Sequence, residues 1–384
     1  MGGLVVSTAT GWVASQEVVE PADAGVDPVR LEALVRHVRD AMATFPLPSA
    51  QLAVARGGQL VLNAAFGDTD LTRRYVLQSA GRTVVASIAW QLLDQGLISL
   101  DDTIASIIPE FGTNGKDVVT VEQVLTHTAG LPFAPLGYPK MLSHDERMAA
   151  FGRWRLTYPP GARLEFHLTS AAWIIAELVW RRTGVTIAEY LRTRLCEPLG
   201  LSLELGVPVE RQADSVAPMI ATDRTSDDQE VDPWGPWYVS RPEILAAGEP
   251  SHSLVGTAAD VALHYQAVVH SGRWSPEIVA EATRVRRSEA PHGDQLYGGG
   301  DIPTHMGLFT TISGRYNGSW LPTVGSPATW GHGGAAYQLG FYDPEADLSV
   351  ACLTNGYPLS GYDYTRRGVS YLVNLANLAA ATVS

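Results

Sequence analysis

Lysine is nearly missing from this chain: Lys116 and Lys140 stand beside many arginines among 27 basic residues. That argues against a pyridoxal-phosphate enzyme, whose cofactor needs a Schiff-base lysine, and leaves few lysines for acid–base work. Cysteine is as scarce. Cys196 and Cys352 belong to no CxxC pair, so two reduced, buried thiols are expected rather than a disulfide framework. No apolar run is long enough to span a bilayer, and no basic amphipathic stretch points to a membrane surface. The first residues, MGGLVVSTATGWVASQEVVEP, carry an apolar patch without a basic segment before it. A secretory signal is therefore not expected, and the cytoplasm is the expected compartment. Positive charge is in deficit too. A formal net charge of −13 repels phosphate backbones, which excludes nucleic acid as a natural partner. HExxH and paired CxxC spacings are absent, so no metal is expected. Without GxSxG, the α/β-hydrolase reading loses its main support. Gly331-His332-Gly333-Gly334-Ala335-Ala336 fits GxGxxA only superficially, because strand-like sequence and a turn follow it where a Rossmann unit needs a helix. No cofactor is expected, and the expected partner is a small-molecule substrate. Oligomeric state is left open.

What is present suits a large packed core, with 46% hydrophobic and 17% charged residues over 384 positions. Val29, Leu31, Leu34, Val35 and Val38 recur at helical spacing from about Asp27 to Ala43, after an Asp27-Pro28 start. Gln51–Ala55 and Gln59–Ala65 flank Gly57-Gly58 as a hairpin. Ser79–Gln95 reads as a buried helix ended by Gly96. A mainly helical block follows, with Val121–Leu125 and Ser170–Arg182 its clearest helices. Thr222–Glu249 is a long irregular segment rich in Pro, Asp, Trp and Tyr, and such segments are often functional. Thr257–His270 is helical again, LSVACLTN is the best strand, and Tyr371–Ala380 closes the chain as a helix. This order suits an α/β sandwich in which both chain ends join one sheet, although periodicity alone does not separate it from other α/β layouts.

Three segments carry a resemblance: YVLQSAGRTVVASIAWQLLDQGLISLDDTIASIIPEF with VTVEQVLTHTAGLP, then YPPGARLEFHLTSAAWIIAELVWRRTGVTIAEYLRTRLCEPLGL, then ATWGHGGAAYQLGFYDPEADLSVACLTNG. Together they resemble the serine β-lactamase and penicillin-binding-protein family, in the branch of class C-type lactamases, carboxylesterases and some transacylases. The resemblance covers nearly the whole chain. It implies a β-lactamase/transpeptidase-like α/β fold, an antiparallel sheet flanked by helices plus a mainly helical lobe. Residues 1–384 would form one domain, with an α/β lobe from about 21–78 and 255–384 and a helical lobe from about 79–254.

The resemblance also implies a site, and this sequence departs from it twice. The family's S-x-x-K aligns with Ser79-Ala80-Gly81-Arg82. Serine at a helix start sits in the positive end of the dipole, and a lysine one turn later can take its proton. Arg82 stays protonated and cannot. It is left either to bind a carboxylate or enolate or to serve as a buried salt-bridge partner, with Ser79 a mere cap. The family's proton-shuttling tyrosine aligns with Phe166, which has no proton to give. His167 beside it titrates near neutrality and is a second candidate. The third motif, H-x-G in the esterase branch, is His332-Gly333-Gly334 after Trp330, implied to lie on an edge strand. His332 is the strongest candidate for substrate contact, and the N–H groups of Ser79 and Ala335 are the implied oxyanion hole. Trp234, Trp237 and Tyr238 are expected to line or lid the cleft, with Trp330, Tyr337 and Phe166 also on the substrate side. His127 reads as structural.

Three functions follow from these residues. The first is a small-molecule enzyme with altered chemistry, namely cyclisation, elimination or acyl transfer on an apolar metabolite, as in secondary metabolism. In it Ser79, Arg82 and His332 polarise the substrate. The second is an esterase or amidase in which His167 or His332 replaces the missing base. The third is a binding protein that keeps only the pocket. Fold kinship does not choose among them.

Overall fold

A computed structural model describes residues 11–383 apart from 46, 227–237, 239, 291–301, 316–319 and 360–367. Helix α1 (Pro28–Thr44) starts where the Asp27 carboxylate accepts the Val29 and Arg30 N–H groups, with Pro28 at the first turn. Its spaced Leu31, Leu34 and Val38 are buried. The strands are β1 (Ser49–Arg56), β2 (Gln59–Gly67), β3 (Tyr75–Val76), β4 (Ile220–Ala221), β5 (Val255–Gly256), β6 (Arg287–Glu289), β7 (Thr304–Met306), β8 (Thr311–Ile312), β9 (Trp330–Gly334), β10 (Gln338–Asp343), β11 (Leu348–Thr354) and β12 (Gly356–Tyr357). Eight of them form one antiparallel sheet in the order β2-β1-β11-β10-β9-β8-β7-β6, so the first hairpin pairs with the late strand β11 and both ends of the chain meet. Gly57 and Gly58, both at positive φ, make the expected turn.

Two cores sandwich the sheet. On one face α1 and the helix Val369–Ala380 enclose Leu34, Leu52, Leu339, Phe341 and Leu375. The other face meets the helix Ala258–His270, helix α2 (Arg82–Asp94) and the helical block that includes Ser170–Thr183. Both cysteines are free and buried, one in each core, and burial pushes each thiol up to about 12. Lys116 is fully buried, with Nζ donating to the Thr113 and Trp154 carbonyls at 2.7 Å each. No helix among the described residues is long and apolar enough to cross a membrane.

Strand β9 departs from expectation. It is the fifth strand of eight and not an edge. However, β8 pairs only with Gly331 and Trp330, so the His332–Gly334 half has no strand neighbour on that side among the described residues. Trp330, expected on the substrate side, is 2% exposed and packs against Trp90, Tyr265 and Tyr342 at ring separations of 5.6, 5.1 and 5.6 Å. It belongs to the core. Trp330→Ala should therefore lower the unfolding free energy by about 3–5 kcal/mol, the usual cost of a large buried aromatic, as read from urea denaturation.

Candidate active site

Ser79 lies in a 3-10 turn, Gln78–Gly81, that leads directly into α2. Gln78 has a φ of 51°, in the left-handed region that a side chain adopts only against strain. Its amide donates to Ser240 Oγ at 3.2 Å, which ties the later loop to this turn. Ser79 is half-buried, and its hydroxyl forms no hydrogen bond among the described residues. Strand β9 passes close by: a Cβ on Gly334 would lie 2.8 Å from both the Ala80 nitrogen and the Leu77 carbonyl oxygen. Only glycine permits that approach, and it brings the end of β9 and Ala335 beside the Ser79 turn.

Arg82, one turn beyond Ser79, is fully buried. Its guanidinium donates to the His167 carbonyl at 3.2 Å and to the Leu168 carbonyl, and it lies 4.2 Å from the Phe166 ring centre and 5.4 Å from that of Phe309. A third donation reaches His252 Nε2 at 3.4 Å. The roles open to Arg82 from the sequence were a surface for a substrate carboxylate and one half of a buried salt bridge. In the structure the guanidinium meets two backbone carbonyls, a histidine nitrogen and two π-faces.

His167 is not placed to act as a base. Its Nε2 accepts the Leu131 N–H at 3.0 Å, so the proton sits on Nδ1, which donates to the Glu165 carbonyl at 2.6 Å. Both ring nitrogens are spent on the backbone, and burial drives the ring down to about 4. His127 supports it by accepting the His167 N–H at 3.1 Å, which makes His127 structural as well. His332 is 2% exposed, and its ring centre is 6.1 Å from that of Phe166. Nδ1 donates to the Gly333 carbonyl at 2.5 Å. Burial and then the Arg82 charge push its pKa down to about 3, so it is a neutral imidazole near pH 7.

Ser79, Arg82, Phe166, His332 and Gly334 thus share one locality. Other expected residues do not. Tyr337 points into the opposite core, against Phe45 and Tyr371 at 5.8 and 6.4 Å. A Cβ on Gly333 would strike Trp320 on that same side, so its missing side chain serves packing. Trp234 and Trp237 lie outside the described residues. Tyr238 is half-buried, with its hydroxyl 3.5 Å from the Tyr138 N–H as acceptor, which seats it on the loop around Gly137. Sequence reasoning missed Glu249 and His252. Glu249 Oε2 is 3.1 Å from His252 Nδ1, and both residues are buried. The signal was an acid and a histidine three residues apart in EPSH, unremarked because that stretch fits no periodic element.

Two expectations follow. Lysine cannot reproduce the Arg82 fork, so Arg82→Lys should lower the unfolding free energy by about 1–3 kcal/mol, as measured by urea denaturation at neutral pH. The buried histidines make the fold acid-sensitive. A ring held at about 4 when folded but at 6.5 when unfolded contributes stability that is complete above the unfolded value and lost as pH falls towards the folded one. His167 alone should cost roughly 2 kcal/mol between pH 7 and pH 5, and His167→Gln should reduce that loss in parallel urea titrations.

The Beta-lactamase family model matches residues 34–372. The esterase/β-lactamase LipL of Mycobacterium tuberculosis is 26% identical over 308 residues, spanning 72% of this chain and 68% of LipL. Esterase EstB of Burkholderia gladioli is 25% identical over 381 residues, spanning 88% of this chain and 93% of EstB. A penicillin-binding-protein homologue from Caulobacter crescentus superposes with a TM-score of 0.77 at 25% identity, over 93% of this chain and 99% of that one. The extent of the family match and the convergence of Ser79, Phe166 and His332-Gly333-Gly334 agree, and the chain belongs to the Beta-lactamase family.

Proposed function

We propose that this protein transfers acyl groups from a small ester or amide, to water or to an acceptor alcohol, through Ser79. The observation that carries this reading is the presentation of Ser79. The residue follows a strained left-handed position, its hydroxyl has no partner among the described residues, and glycine brings β9 against the same turn. A binding relic has no reason to hold that strain. The N–H groups of Ser79 and Ala335 supply the oxyanion donors in this reading. Phe166 gives the site an apolar wall where the family has a hydroxyl, which favours apolar acyl groups over polar β-lactams. LipL and EstB, both esterases by name, support acyl chemistry. Cyclisation or elimination through Arg82 draws no support from a guanidinium that is 0% exposed.

The test is covalent. A fluorophosphonate should label Ser79 stoichiometrically, with the adduct mapped by mass spectrometry, and p-nitrophenyl esters of medium chain length should be hydrolysed while nitrocefin is not. Ser79→Ala should abolish both labelling and hydrolysis. Wild-type protein that takes up no phosphonate at Ser79, or Ser79→Ala protein that keeps its esterase activity, would overturn the reading.

A further inference from the structure

The acyl-transfer reading needs a proton acceptor, and neither Arg82 nor His167 provides one. The geometry points to His252, oriented by Glu249, as the acid–base residue that serves Ser79. This inference rests on the proposed acyl chemistry and adds the group that makes it work.

Three observations converge. The first is position. Strands β3 and β5 pair antiparallel with Tyr75 opposite Gly256 and Val76 opposite Val255, and the Leu77 N–H donates to the Leu254 carbonyl at 2.8 Å. Beyond that pairing, His252 reaches Arg82, one turn past Ser79, through the 3.4 Å contact at Nε2. Leu254 also packs against the start of the helix, since a Cβ on Gly81 would lie 3.2 Å from Leu254 Cβ. The second is tautomer. Arginine only donates, so the 3.4 Å contact from Arg82 fixes a lone pair on His252 Nε2. The proton is then on Nδ1 and is donated to Glu249 Oε2 at 3.1 Å. A carboxylate holding Nδ1–H leaves Nε2 as the acceptor, here reached only by the long Arg82 contact, and an imidazole so oriented is prepared to take a hydroxyl proton. The third is charge. Glu249 and Arg82 carry opposite charges on either side of the ring. When the proton moves from serine to histidine, the new imidazolium is balanced by Glu249 and the new oxyanion by Arg82 and the backbone donors, so the cluster stays neutral overall.

Ser79 Oγ attacks the acyl carbon, and the Oγ–C bond forms while the hydroxyl proton passes to His252 Nε2. The Ser79 hydroxyl replaces the long Arg82 contact at that lone pair. The carbonyl π pair becomes the oxyanion. Its collapse breaks the bond to the leaving group, which takes the proton from His252. Water or an acceptor alcohol then attacks the acyl-enzyme, gives its proton to His252, and Ser79 recovers that proton as the Oγ–C bond breaks.

The charged and titratable groups facing His252 are Glu249 on its own segment, Arg82 on α2 and His332 on β9. Burial first lowers the ring below 6.5, Glu249 raises it, and Arg82 lowers it again. At neutral pH the ring is therefore in its proton-accepting form, and removing the Glu249 charge lowers it further.

The experiment follows the rate of fluorophosphonate labelling at Ser79 against pH in wild-type protein, His252→Gln and Glu249→Gln. His252→Gln should slow labelling by roughly 10²–10⁴-fold, the usual worth of a general base, with its thermal unfolding midpoint recorded as a check on folding. Glu249→Gln should slow labelling less and move the acid limb of the rate profile to lower pH, a shift that loss of structure alone does not produce. In the wild-type phosphonate adduct, proton NMR should show a strongly deshielded Nδ1 proton on His252 that Glu249→Gln removes. Labelling of folded His252→Gln within about threefold of wild type would overturn the proposal and leave the Ser79 reading standing. If His252→Gln does not fold, an unmoved acid limb in Glu249→Gln overturns it instead. Wild-type protein that does not label at Ser79 overturns both.

Discussion

A permanent positive charge with no exposure to water has to be answered from within, and Arg82 sets the terms for everything around Ser79. Leaving such a group unanswered would cost several kcal/mol. The answer is assembled from distant parts of the chain: carbonyls at 167 and 168, the rings of Phe166 and Phe309, and the His252 ring that leans on Glu249. Each contributor is fixed in turn. His167 is clasped by Leu131, Glu165 and His127, and Ser170 Oγ donates to the Leu131 carbonyl at 2.6 Å. Phe166 fits this scheme, because a flat aromatic face is a good surface for a guanidinium and needs no hydroxyl partner. Arg82 and Phe166 are thus parts of one packing solution: the arginine brings the charge and the phenylalanine face receives it.

Much of the fold was legible in the sequence because its signals are local. Asp27-Pro28, the Gly57-Gly58 turn and the helical spacing of Leu31, Leu34 and Val38 each specify their own element. The motif segments around Ser79, Phe166 and His332 were legible for the same reason, being short and ordered along the chain. What was not legible was which face a residue serves. In β9, Trp330, His332 and Gly334 alternate with Gly331 and Gly333, yet Trp330 ends in the aromatic core and Tyr337, beyond the turn, crosses to the other core. Aromatic residues next to a motif look like substrate contacts when only the motif is known. Burial separates them, and burial is set by helices far away in sequence.

The histidines show the same limit more sharply. All five around Arg82 and the second core face have their pKa lowered chiefly by burial, but they differ in what their nitrogens touch. His167 spends both nitrogens on the backbone, while His252 has a carboxylate on one side and an arginine on the other. Proximity to the motif favoured His167. Partner chemistry, which appears only once strands β3 and β5 are paired, favours His252.

The near absence of lysine has a practical side. Lys116 is sealed beneath Thr113 and Trp154, whereas Lys140 is exposed, in the loop whose Tyr138 N–H meets Tyr238. Amine-directed reagents will therefore find a single accessible lysine side chain, two residues from the Tyr138 N–H that meets Tyr238. A fluorophore coupled there becomes a site-specific optical reporter for that loop without any engineered cysteine.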